Sequence, residues 1–473
     1  MDQLEEEREE LGYSSEKRQA GSYADQKPGG KVWVEAWNEA ADTTSLWRNM
    51  CLNRWTFCNI LNLTPGVQTW KKYYLHRSKL EQQMTSGRPS ADYTCIPMRG
   101  HSGKIMAMAY LSDSDHVFGA GQLRSVVCTA STDGTVRAWN VQEGIQIWSS
   151  PIQEMPLLKV ITLPKYKVAI TTDAHGTIKA WQGETGQELA SFSTSSSSCN
   201  LVTYSVNKKP FLSAATAGGA IYTLEVPNLN QVSCITAFQN SKIDLLLCSP
   251  DKLWLVAGST ESADVSTKVF STDCLIQPTE DKSPICTSLP IREHVTACWL
   301  PKEPARIAVM HKDNAFQMNI TVLDLAVKKS KYKSEILAQQ VTSFTLPEKS
   351  WNTYSVMEGY GTETILIGCG SELKLYSISG TQLQCFQDHK DTITSLWVDS
   401  FRVVTSSLDL SLRVYVWKKA NQAYALQSLY QLLGGSHKWS RGFIDVACDN
   451  VSIIGMVARA DETSILRAYS FNL

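Results

Sequence analysis

The chain lacks an excess of either charge: 45 basic and 46 acidic residues in 473 leave a net charge of -1. Such a balance supplies no field to hold nucleic acid or an anionic membrane. Long apolar runs are missing as well, and none approaches the ~20 residues of a membrane span. The 13 cysteines are odd in number and never stand at Cys-x-x-Cys spacing, which argues against both a zinc site and a disulfide framework. Residues 1–10 are acidic and polar, so no secretory signal is expected, and the cytoplasm or nucleus is the expected compartment. There is no Gly-rich phosphate loop and no His-Glu-x-x-His. No metal, no cofactor and no enzymatic activity are therefore expected.

What is present is a repeated strand pattern. After Gly100-His101 come three alternating or apolar runs, 105–110, 125–130 and 135–140, and then Ile145 to Trp148. Ser131-Thr132-Asp133-Gly134 and Glu143-Gly144 supply the turns between them. Four short strands joined by tight turns make one antiparallel meander. A lone meander of this size cannot bury both faces, so neighbours are implied on each side. Third-strand markers recur at Trp139, Trp181, Leu224, Phe270, Leu323, Tyr376, Tyr415 and Tyr469, against ~40–45 residues per step in tight propeller repeats. That counts eight blades, or seven if 270–376 holds one irregular blade fewer. Tyr93 to Met98 reads as a strand with no blade of its own. In a closed ring it would complete the last blade and remove an open edge.

His101, Ser131, Asp133 and Trp139 contain the members of a hydrolase triad. Their equivalents His389, Ser407, Asp409 and Tyr415 recur in another blade, and catalytic sets are rarely duplicated. The expectation is a structural hydrogen-bond network that pins turns inside a blade.

Upstream the period changes to helical. Residues 1–30 read as a disordered acidic leader. Residues 31–84 form a helical segment, with apolar repeats at Trp33, Ala36, Trp37 and Ala40, then Leu46, Trp47, Met50 and Cys51, then Trp70, Tyr73, Tyr74 and Leu80. Residues 85–92, with Gly87 and Pro89, read as a linker, and 93–473 as an all-β propeller.

The string Trp37-Asn38-Glu39-Ala40-Ala41, Leu46-Trp47-Arg48, Asn53-Arg54-Trp55 and 70–75 resembles the second half of an F-box and the helix after it. Placed before WD-type repeats, which His101, Ser131, Asp133 and Trp139 match, it resembles the F-box/WD-repeat family. The resemblance covers 33–473. It implies a substrate receptor that binds a Skp-type adaptor and a cullin ligase core through Trp33, Val34, Trp37, Leu46 and Trp47. The family's Leu-Pro helix start is replaced by the polar stretch ending in Pro28-Gly29-Gly30-Lys31, which implies weakened adaptor binding. The alternative is a WD-repeat interaction scaffold that has lost it.

Two residues before each marker lie Arg137, Lys179, Tyr222, Lys268, Thr321, Lys374, Arg413 and Arg467. Strand alternation gives these positions one facing in every blade. In phosphopeptide-reading relatives arginines here grip phosphate. Arg137, Arg413 and Arg467 match residue by residue, while Lys179, Lys268 and Lys374 match in charge only. The resemblance thus implies a protein or phosphopeptide substrate held on the propeller face.

Overall fold

The computed structural model describes residues 43–54, 69–112, 125–194, 196, 199–260, 265–277, 285–303, 305–313, 315–329, 334–347, 355–420 and 423–471. Eight four-stranded antiparallel sheets form the blades of a propeller. The first strands of successive blades touch one another right around the ring, and the first strand of blade 8 (Ser440–Cys448) meets that of blade 1 (Ile105–Tyr110). Each of the eight sequence markers lies on a third strand. Eight blades, and not seven, is the count.

Burial explains why the strands read as they do. Second strands are covered on both faces by adjacent blades: Arg402–Ser407 and Trp254–Gly258 are buried at every position. They therefore read as unbroken runs rather than as alternations. Outer strands such as Gln382–Phe386 are largely exposed and carry polar residues. The core is a set of seams between blades. Trp139, for example, packs with Met98, Ile454, Met456 and Leu466 across the seam of blades 1 and 8.

Ring closure follows the expectation. Tyr93–Met98 pairs antiparallel with the third strand of blade 8, Ser464–Phe471, in the register Tyr93↔Phe471 to Met98↔Leu466. Pro97 is tolerated there because this strand is outermost and no further strand needs its missing N–H. Tyr93 and Met98 point inward and are buried, while Cys95 and Pro97 face solvent.

Two helices precede the ring: α1 (Thr44–Arg54) and α2 (Trp70–Ser86). Thr69 caps α2 by accepting a hydrogen bond from Lys72 N at 3.2 Å. The leader 1–30 lies outside the described residues, as do Trp33, Val34 and Trp37.

The expected linker is not slack. Helix α2 runs on to Ser86, and Gly87, at φ +55°, stands where a Cβ would come within 2.3 Å of the Tyr430 ring. The Asp92 carboxylate then accepts from Arg88 N at 2.8 Å, from Arg88 Nε at 3.1 Å and from the Ser86 hydroxyl. Gly and Pro here shape a tight docked turn. Leu80 and Met84 belong to one buried cluster with Tyr93, Val451 and Phe471, against which Phe401 and Tyr430 also pack.

Candidate functional site

Three groups of residues bear on function: the tetrads that hold the turns, the third-strand cations, and the helices. In blade 1, His101 Nδ1 lies 2.9 Å from Asp133 Oδ2, and His101 Nε2 lies 2.8 Å from Thr129 Oγ1. Trp139 Nε1 donates to the same Thr129 oxygen at 2.9 Å. These partners fix the tautomer: Nδ1–H donates to the carboxylate and Nε2 accepts from the hydroxyl. Burial lowers the His101 pKa, so the ring is neutral near pH 7.

Ser131 is not part of that chain. Its hydroxyl accepts from Asp133 N at 3.2 Å, so Ser131 shapes only the turn, and Thr129 is the bridge. Blade 7 repeats the arrangement with His389, Asp409 and Thr405 at 3.0 and 2.7 Å, and Ser407 again accepts from the backbone, here Asp409 N. Tyr415 fills the place of Trp139 and packs against Phe386, with its hydroxyl beside Asp388 and Thr405.

Burial would raise the Asp133 carboxyl, but hydrogen bonds from Thr135 and His101, and the charge His101 takes up when protonated at acid pH, outweigh it and hold the pKa at about 2. Asp409 is lowered in the same way. A depressed folded-state pKa stabilises the protein above the ordinary carboxyl pKa of ~4, and that stabilisation is lost as the pH falls toward 2. Asp133→Asn is therefore expected to cost about 1–3 kcal/mol at pH 7 and less at pH 3.5. Urea midpoints at the two pH values measure the difference. An equal loss at both would remove the carboxylate's charge from the explanation.

Four of the six third-strand cations are engaged within the chain. Arg137 donates to Gln146 Oε1 at 2.9 Å and to Thr135 Oγ1 at 3.1 Å. Lys179 pairs with Glu188 at 2.9 Å and Lys374 with Glu372 at 2.7 Å. Lys268 donates to Ala237 O at 2.6 Å and lies over the Phe238 ring. Arg413 and Arg467, on neighbouring blades 7 and 8, differ. The Nε of each is buried with no acceptor among the described residues. Sequence spacing made the six positions equivalent, but their neighbours separate them.

At the helices, Leu46 is 46% exposed. Trp47 turns partly inward, its ring 5.4 Å from that of Tyr74, with the Lys71 ammonium 5.8 Å away. The largest surprise is Arg402, only 2% exposed and invisible as a functional position in the sequence. Its Nε donates to Asp399 at 3.3 Å, Nη1 lies 3.3 Å from Met84 Sδ, and Nη2 donates to Asp449 O and to Ser452 O. One guanidinium thus joins α2 to the first–second turns of blades 7 and 8. The tetrads stand at the opposite end of the ring, by the second–third turns.

No helix among the described residues is long and apolar enough to cross a membrane. Among those residues no cluster of three or more His, Cys, Asp or Glu could hold a metal ion.

Residues 93–140 match the family model described as WD domain, G-beta repeat. Over 441 residues the chain is 34% identical to F-box/WD repeat-containing protein 12 of Homo sapiens, covering 92% of this chain and 93% of that one. It is 27% identical to F-box/WD repeat-containing protein 15 of Mus musculus over 443 residues, with the same coverage. Among solved structures, Saccharomyces cerevisiae Sqt1 superposes with a TM-score of 0.58 at 10% identity, covering 80% of this chain and 99% of that one. The computationally designed Ika8 protein gives 0.56 at 16%, covering 80% and 98%. At those identities the two structures speak to the propeller fold alone.

Proposed function

The chain belongs to the F-box/WD-repeat proteins, and from that membership we propose that it is the substrate-recognition subunit of a Skp-cullin-F-box ubiquitin ligase. The propeller holds the substrate, α1 and the segment before it hold the adaptor, and ubiquitin transfer belongs to other subunits. The protein itself is not an enzyme, and it works in the cytoplasm or nucleus. The observation that carries this reading is the docking of α2. Its C-terminal turn is fixed to blades 7 and 8 through Met84, Arg402 and the Tyr430 hydroxyl, which donates to Met84 O at 2.8 Å. A receptor that must present a substrate needs its two ends held in one geometry, because a slack joint lowers the effective concentration of the substrate at the ligase.

Leu46 is the described residue best placed to meet the adaptor. Co-expression of the full chain with a Skp-type adaptor is expected to give a co-purifying complex. Leu46→Asp, a change at an exposed helical site, is expected to reduce capture at least tenfold while leaving the melting temperature near wild type. Equal capture by the variant would remove α1 from the adaptor contact. No capture by the wild-type chain would favour a WD-repeat scaffold that works apart from the ligase.

A further inference from the structure

Three successive blades turn from their first to their second strand on lysines. Blade 2 has Lys165 and Lys167, blade 3 has Lys208 and Lys209, and blade 4 has Lys252. The turns of blades 2 and 3 touch, since the Tyr166 hydroxyl donates to Lys208 O at 2.8 Å. All five lysines are exposed. They form an arc on the end of the ring that also carries α2, away from the second–third turns.

Two observations set this arc apart from an ordinary solvated face. The first is in the backbone. Lys167, Lys208 and Lys252 stand at φ +52°, +65° and +64°, the left-handed region that glycine and asparagine enter readily and longer side chains only at a cost. Blade 6 places Gly361, at φ +63°, in the corresponding turn. Lysine is thus held against local preference on three blades in a row. The second observation is charge. Among the described residues only Lys167 of the five has a carboxylate partner, Glu184. Asp251, the acid within these turns, is directed into its own loop, where it accepts from Leu253 N at 3.0 Å and from the Ser249 hydroxyl. In a chain of net charge -1, this is a local concentration of positive charge.

We propose that the arc docks an acidic segment of a partner protein, whose carboxylates meet the ammonium groups of successive blades. An ammonium is a point charge on a flexible stem and imposes no planar geometry, so it suits a run of carboxylates at loose spacing. The helical pair on the same end obstructs a flat bilayer, and a flexible acidic chain meets no such obstacle. The inference goes beyond the receptor reading and does not depend on adaptor capture.

The test uses the full chain and a fluorescent peptide of ten glutamates, read by anisotropy. The wild type is expected to bind it, and to bind at least fivefold more weakly at about 200 mM salt than at about 50 mM. Lys167→Gly with Lys208→Gly and Lys252→Gly is expected to lose at least tenfold in affinity while melting at or above the wild-type temperature. Asparagine at the same three positions is a second variant with the same expected outcome. Lys390→Ala with Lys438→Ala and Arg441→Ala removes as many charges from the opposite end and should leave binding unchanged.

Equal binding by the glycine and asparagine variants, or an equal loss in the variant of the opposite end, overturns the proposal. So does a wild-type chain that sediments with phosphatidylserine vesicles, or captures a single-stranded oligonucleotide, through these lysines yet ignores the peptide. Peptide binding that appears only once residues 1–10 are deleted makes the chain's own acidic leader the occupant, and overturns it too.

Discussion

Replacing Arg402 by alanine is expected to destabilise the protein by about 3–5 kcal/mol, the cost of breaking a buried charged network by removing one partner. The physical reason is what stays behind. The Asp399 carboxylate and the carbonyls of Asp449 and Ser452 lose their donor, and Met84 loses the group beneath it. Asp399 is 33% exposed and can turn to water, but Met84 and Ser452 are buried in the seam between blades 7 and 8 and cannot. Arg402→Lys keeps the charge but not the fork, so it should recover only part of the loss.

The same change should free α2. Limited proteolysis near 84–92 is expected to speed up in Arg402→Ala, while cleavage within blades 2 to 4 stays slow at temperatures below the melting transition. Urea unfolding followed by tryptophan fluorescence gives the stability. A loss under 1 kcal/mol would mean that the guanidinium is not the joint described here.

The second large effect concerns ring closure. Deleting 93–98 is expected to abolish soluble monomer. The loss strips the Ser464–Phe471 strand of its partner along six paired positions and leaves an exposed, partly apolar edge, the usual template for association between chains. It also removes the buried Tyr93 and Met98 side chains.

Met98→Asp tests the same point without shortening the chain. Met98 is 1% exposed amid Trp139, Met456 and Leu466, so a carboxylate there has no partner and cannot be solvated. Size-exclusion chromatography with light scattering should show aggregate for the deletion and a strong loss of monomer for Met98→Asp. Well-behaved monomer from both would deny that the ring is closed by its upstream strand.

The comparison of sequence with structure divides along physical lines. Features fixed by local chemistry were legible. The eight third strands announced themselves through alternation and through turns such as Asp133-Gly134, and the orphan strand 93–98 announced its role by having no blade to join. Long-range pairing was not legible. Thr129 bridges His101 and Trp139 because it sits on the second strand, opposite Arg137, whereas Ser131 merely looked better placed along the chain. Arg402 precedes the apolar run Val403-Val404 and carries no local signal of burial. Its burial depends on α2, more than 300 residues upstream in the chain.

The equivalence of the third-strand cations was also only half informative. Alternation gave them one facing, but the partners that engage Arg137, Lys179 and Lys374 lie on other strands or at other positions of the same one. Helix periodicity found α1 and α2. The expected adaptor residues Trp33, Val34 and Trp37 fall outside the described residues.

The receptor reading requires the propeller that would hold substrate and the helix docked on it to act as one body. Ubiquitin transfer in a reconstituted adaptor–cullin ligase tests that idea most directly, with a protein that the propeller captures as the acceptor. The wild-type chain should support transfer, and Leu46→Asp should reduce it at least tenfold without weakening capture of the acceptor. Transfer that proceeds equally with Leu46→Asp, or without the chain at all, would contradict the account.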